Sequence, residues 1–133
     1  MRLTSRSEYA LLALVYLARQ ESGVMVSVET IADAQNIPSR FLEQIMAALK
    51  HGRYVRSAKG RLGGYCLAKP PEQISLAEII RLFDGALAPT ESVSRYFYEP
   101  TPIEHEANLL AVFQDIRDAI ARKLESTTLA DAR

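Results

Sequence analysis

A helix, a proline-started second helix and a basic glycine-rich hairpin follow one another between Val28 and Pro70, and a long helix with an apolar stripe lies near the end of the chain. These observations predict a mainly α fold: a winged helix-turn-helix with a two-stranded β wing and a long C-terminal helix. The divisions expected are 1–85 for the winged domain, 86–103 for a loop, 104–125 for the long helix and 126–133 for a frayed tail.

Arg2 to Arg19 reads as the first helix, with Ser5 or Ser7 as its cap. Tyr9, Leu11, Leu12, Leu14, Val15, Tyr16 and Leu17, with Ala10, Ala13 and Ala18, make it apolar on most of its girth, as in a buried helix. Ser22 to Val26 is the turn out of it. Val28 to Ala34 is a short helix with Ser27 placed to cap its first turn. After Gln35, Asn36 and Ile37, Pro38 opens Ser39 to Leu49, apolar at Phe41, Leu42, Ile45, Met46 and Leu49 in a one-sided stripe. Gly52 to Ala58 reads as a strand after a helix-ending glycine, Lys59 to Gly64 as a flexible basic tip, and Tyr65 to Lys69 as the returning strand.

Pro70 and Pro71 close the hairpin. Ile74 to Phe83 is a short helix in which Ser75 and Glu78 have capping-box spacing, ended by Asp84-Gly85. Ala86 to Ile103 has no usable period; it holds three prolines and the aromatic group Tyr96, Phe97 and Tyr98, expected to pack against the body. Glu104 to Glu125 carries Leu109, Phe113, Ile116 and Ile120 at steps of four and three, with Glu104 and Glu106 in its first turn and Arg122 and Lys123 near its last. A helix of about 33 Å at 1.5 Å per residue exceeds what a small domain needs for its own core. Pairing of Leu109, Phe113, Ile116 and Ile120 with the same helix of a second subunit, as a homodimer, is the expected use.

Composition narrows the function. The 133 residues are 48% hydrophobic and 24% charged, values of an ordinary globular chain. No 18-residue apolar run is present, so no membrane span is expected. One cysteine, Cys66, rules out an intrachain disulfide framework and suits a reducing cytoplasm, the expected location. The zero net charge conceals a partition: residues 1–70 hold ten Lys/Arg and five Asp/Glu, whereas residues 71–133 hold six and eleven. From Lys50 to Lys69 the chain carries Lys50, Arg53, Arg56, Lys59, Arg61 and Lys69 with no acidic residue. Such a patch suits a phosphate backbone, where affinity comes largely from counterion release. Ser39 and Arg40 lie at the first turn of the second helix, the end expected to meet base edges. Glu43 can accept from a cytosine amine and Gln44 can bond an adenine edge.

Other chemistry is poorly supplied. Cys66, His51 and His105 are too few and too scattered for a zinc or iron–sulfur motif, so no metal and no cofactor is expected. Cys66 is a candidate thiol sensor; with Tyr65 and Leu67 facing the core, strand alternation places it on the outer face of the wing. Its alternative role is a small residue filling a strand position. Ser92 and Ser94 have no histidine at a motif spacing, and Gly60, Gly63 and Gly64 precede a strand rather than a helix, so neither a nucleophile nor a nucleotide loop is indicated.

The segments Met1-Arg2-Leu3-Thr4, Tyr9-Ala10, Ile31-Ala32, Ile37-Pro38, Leu42-Glu43-Gln44-Ile45, Ser57-Ala58-Lys59-Gly60 and Gly63-Gly64-Tyr65-Cys66-Leu67 resemble the Rrf-type bacterial regulators, the family of IscR and NsrR. The resemblance runs from Met1 to about Gly85, and the long helix fits the family's dimerisation helix in place and length. It implies a homodimeric winged-helix transcription regulator, commonly a repressor, on double-stranded DNA with a palindromic operator. It also implies that Ser39, Arg40, Glu43 and Gln44 fall in the recognition helix and Lys59 and Arg61 in the wing. Cluster-binding members carry three cysteines before the long helix. Residues 86–103 contain none here, which resembles the cluster-less branch, whose members respond to a thiol, a small molecule or a partner protein. The competing expectation is a protein-interaction module that keeps the scaffold without a DNA role.

Overall fold

The computed structural model describes residues 1–133, and the helix-turn-helix is built as its punctuation dictates. Helix α1 spans Ser5–Ala18, α2 Val28–Gln35 and α3 Ser39–His51. Ser27 caps α2 by accepting from Thr30 N, and Asn36 ends it in the left-handed region at φ 55°, which asparagine tolerates better than other side chains. Pro38 then stands immediately before α3, whose Leu42, Ile45, Met46 and Leu49 are buried against Leu14 of α1 and Ile31 of α2 in one apolar core.

The wing pairs β1 (Val55–Ala58) antiparallel with β2 (Gly64–Leu67), in the register Val55 with Leu67, Arg56 with Cys66, Ser57 with Tyr65 and Ala58 with Gly64. Val26 adds a third, one-residue rung: it exchanges backbone hydrogen bonds of 2.8 and 2.7 Å with Tyr65. That rung requires glycine at 64, where φ is 132° and a Cβ would stand 2.3 Å from the Val26 carbonyl oxygen.

Helix α4 (Leu76–Asp84) begins with the expected capping box of Ser75 and Glu78. Its last residue, Asp84, reaches back to the start of α1. The Thr4 and Ser7 hydroxyls both donate to its carboxylate, Ser7 at 2.6 Å, and Thr4 N does so at 3.2 Å. Thr4, rather than Ser5 or Ser7, is therefore the α1 cap; Ser7 is fully buried in this network.

Two boundaries in the rear half differ from expectation. The long helix α5 runs Ala107–Ser126, because residues 102–105 form a separate 3-10 turn and Glu106 only caps. Glu104 consequently lies outside the helix and accepts from the Tyr98 hydroxyl. The expected frayed tail is instead an ordered element, α6 (Leu129–Ala132), with its own capping box of Thr128 and Asp131. Leu76 N donates to Thr127 O at 2.9 Å and Leu129 N to Ile74 O at 3.0 Å, so the strand-like exit of α5 hydrogen-bonds to the entry of α4. Leu129 joins the main core with no exposure at all.

Candidate nucleic-acid interface

Helix α3 separates its two faces cleanly. The buried stripe holds Leu42, Ile45, Met46 and Leu49, and the solvent face presents Ser39, Arg40, Glu43, Gln44, Ala47 and Lys50. Phe41, expected in the buried stripe, is 55% exposed and stands with Arg40 and Gln44. The cause is position: one residue from Leu42 along a helix is a rotation of about 100°, and the α2–α3 turn leaves that flank of the first turn uncovered. An exposed aromatic ring there suits contact with a thymine methyl group, a readout that the stripe alone did not reveal.

From α3 the chain enters β1 through residues 52–54, so α3 and the wing are joined by a short corner. Arg53 occupies that corner with φ 66°, an unusual conformation for a residue bearing a Cβ. Tyr54 pins it: its amide donates to Leu49 O, its carbonyl accepts from Ala68 N, and its hydroxyl lies 3.4 Å from a Glu78 carboxylate oxygen. Burial holds the Tyr54 phenol above its ordinary pKa, and the Glu78 carboxylate pushes the same way. The Lys69 ammonium sits 5.0 Å from the centre of the Tyr54 ring, which removes that cation from the free set.

Lys50, Arg53, Arg56, Lys59 and Arg61 are all exposed. The ion pairs of the chain lie elsewhere: Arg81 with Glu125 at 2.6 Å, Arg117 with Asp118 at 2.7 Å and Arg133 with Glu72 at 3.7 Å. Three of the six cations in residues 71–133 are paired in this way, while those of α3, the corner and the wing have no ion pair. Arg56 stands apart from the others, since its Nη2 is 3.9 Å from where a Gly23 Cβ would be, on the α1 side of the hairpin.

Cys66 is the clearest correction. It is 4% exposed, not on an open outer face. Its cross-strand partner Arg56 lies on the same side, and that side faces the end of α1, where Leu17 and Ala18 line the same cleft of about 530 Å³. Tyr65 and Leu67 pack against the main core and Cys66 lies on the opposite face, as alternation expects, but the end of α1 closes that face off from solvent.

On α5, Leu109, Val112 and Ile116 are exposed and Phe113 is half-buried. Ile120 turns inward with Leu124 onto Ala77, Ile80 and Leu87, so the expected dimer stripe divides between an outward upper part and an intrachain lower part. The aromatic group is not packed away: Tyr96, Phe97 and Tyr98 are exposed, with the Arg81 guanidinium 5.0 Å from the Tyr96 ring centre.

The Rrf2 profile, described as an iron-dependent transcriptional regulator, matches residues 3–132. The chain belongs to the Rrf2 family. Rv1287 of Mycobacterium tuberculosis, a candidate HTH-type transcriptional regulator, is 39% identical over 132 residues, spanning 98% of this chain and 80% of that protein. The structure of CymR, the global cysteine regulator of B. subtilis, superimposes with a TM-score of 0.80 at 30% identity, covering 99% of this chain and 95% of that one. IscR of T. potens gives 0.76 at 27% identity, over 99% and 85%. The protein is thus a winged-helix transcriptional regulator of the Rrf2 family, and no helix is long and apolar enough to cross a membrane.

The iron in the family's description does not fit the side chains of this Rrf2 member. No group of three or more His, Cys, Asp or Glu residues comes together that could hold a metal ion. The single thiol is buried in the wing, and residues 86–103 have no cysteine.

Proposed function

We propose that this chain is a homodimeric repressor that reads a palindromic operator in the cytoplasm without an iron–sulfur cluster and without catalytic activity. The observation that carries the reading is the solvent face of α3: Ser39, Arg40, Glu43 and Gln44 stand exposed beside the unpaired cations Lys50, Arg53, Lys59 and Arg61. Glu43 is informative because a carboxylate near phosphates is unfavourable unless it accepts from a base, and cytosine N4 is such a donor. In the dimer two such helices enter successive major grooves about one helical turn apart, which a palindromic site requires. The cleft beside Cys66 and Arg56 is the place to seek a small-molecule effector or a thiol response.

The test begins with selection of bound duplexes from a random-sequence pool, followed by titration at several salt concentrations. Glu43→Ala and Gln44→Ala each weaken the selected operator by about 1–3 kcal/mol and relax preference at one base position. Arg61→Ala weakens operator and scrambled duplex alike and lowers the salt slope by about one. If all three variants bind like the wild type, the surface is misplaced and the protein-interaction module becomes the better reading.

A further inference from the structure

The tip of the wing is a four-residue turn in which Gly63 N donates to Gly60 O at 3.1 Å, so Arg61 and Leu62 are its two central residues. Neither has a positive φ, and glycine in the fourth position is what such a turn favours. Gly63 also admits no side chain, since a Cβ would stand 2.2 Å from the Ala58 carbonyl oxygen. The backbone therefore fixes the tip, and the tip offers Leu62 no surface to pack on. Leu62 is 93% exposed; the next most exposed large apolar side chain, Tyr96, is at 64%.

An isolated exposed leucine is ordinary on a protein surface. This one differs in its setting. It sits beside Arg61 and three residues from Lys59, at the extremity of a basic hairpin adjoining the recognition helix, where the cations draw it to DNA. An apolar side chain carried into a minor groove has a known use: leucine, isoleucine, phenylalanine and methionine insert between base steps, partly unstack them and bend the duplex.

We infer that Leu62 is an apolar wedge that enters the minor groove beside each half-site and opens one base step. The inference rests on the DNA-binding reading above and adds a source of specificity to it. Arg61 and Lys59 hold the groove walls, and Leu62 leaves water by seating against the opened step. Pyrimidine–purine steps, TA and CA/TG, unstack at least cost, so the wing selects sequence by deformability at a place where it makes no base hydrogen bond. The two wings of a dimer kink the operator at two symmetric points.

The experiment compares wild type, Leu62→Ala and Leu62→Lys on an operator selected by the wild type, labelled at both ends for energy transfer. A second operator carries an AA step in place of the pyrimidine–purine step under the wing. Thermal unfolding of the three proteins should coincide, because Leu62 is almost wholly exposed in the fold. The expected result is about tenfold weaker operator binding by Leu62→Ala, the size of returning one leucine to water. With it goes the end-to-end shortening and the preference between the two operators. Leu62→Lys regains affinity for any duplex but neither the bend nor the preference. Unchanged bending and step preference in both variants overturns the wedge, even if affinity falls, and leaves the DNA-binding reading standing. Wild-type protein that selects no operator overturns both, and is recognised before any variant is measured.

Discussion

Arg53 pairs an unfavourable backbone with a favourable charge. Its left-handed φ costs about 1–2 kcal/mol for a residue with a Cβ, and glycine would remove that strain. Glycine would also give back part of the gain, because it loses more freedom on folding. Arg53→Gly should therefore leave stability unchanged or raise it by up to about 1 kcal/mol in urea unfolding. The same substitution should lower the salt slope of DNA binding by about one if the guanidinium meets a phosphate. A stability gain with no change in slope would remove Arg53 from the interface. Asn36 is the instructive contrast: its φ is equally positive, but its side chain is one that suits the helix end it occupies.

Among the α-helices, α6 is the smallest and the least expected. Its four residues place Leu129 in the same core as Leu14, Ile31 and Met46. Leu129→Ala should destabilise the chain by about 2–5 kcal/mol in a denaturant titration, the range for emptying a buried leucine site. A loss below about 0.5 kcal/mol, typical of a surface position, would show that the docking is not maintained in solution. Nothing in seven residues, Thr127 to Arg133, carries a period long enough to see, and the partners that order them lie some fifty residues earlier at Ile74 and Leu76. The helix-turn-helix was legible for the opposite reason. Ser27, Pro38 and Gly52 punctuate it locally, and the stripe on α3 needs only one covered side. Phe41 and Cys66 escaped that reasoning because each sits at the margin of a face, where the neighbouring element decides what is covered. For Cys66 that neighbour, the end of α1, is also far away in the chain.

At the scale of the molecule, a single chain leaves α5 unfinished. The helix is 20 residues long and buries none of them fully, while Leu109, Val112 and Ile116 line its outer side. A second copy pairing along this face would cover all three. Because Ile120 supports α4 within the chain, charges are better placed above it. Leu109→Glu with Ile116→Lys should give a folded monomer in sedimentation equilibrium, with operator affinity reduced because two half-sites are no longer held together. A dimer of undiminished strength would move the interface elsewhere. The charge partition suits this layout, since ten Lys/Arg against five Asp/Glu in residues 1–70 favour docking on phosphates through the front half.

The rear half holds α1 by both ends. At its start, Asp84 takes the hydroxyls of Thr4 and Ser7; at its finish, the Arg133 guanidinium donates to Ala18 O at 3.2 Å. Between these two clamps α1 packs against α3, like an axle in two bearings. Helix α5 begins downstream of one bearing and ends just before the other. Both ends of α1 are thus tied to the rear half, and α3 packs against the helix that they hold.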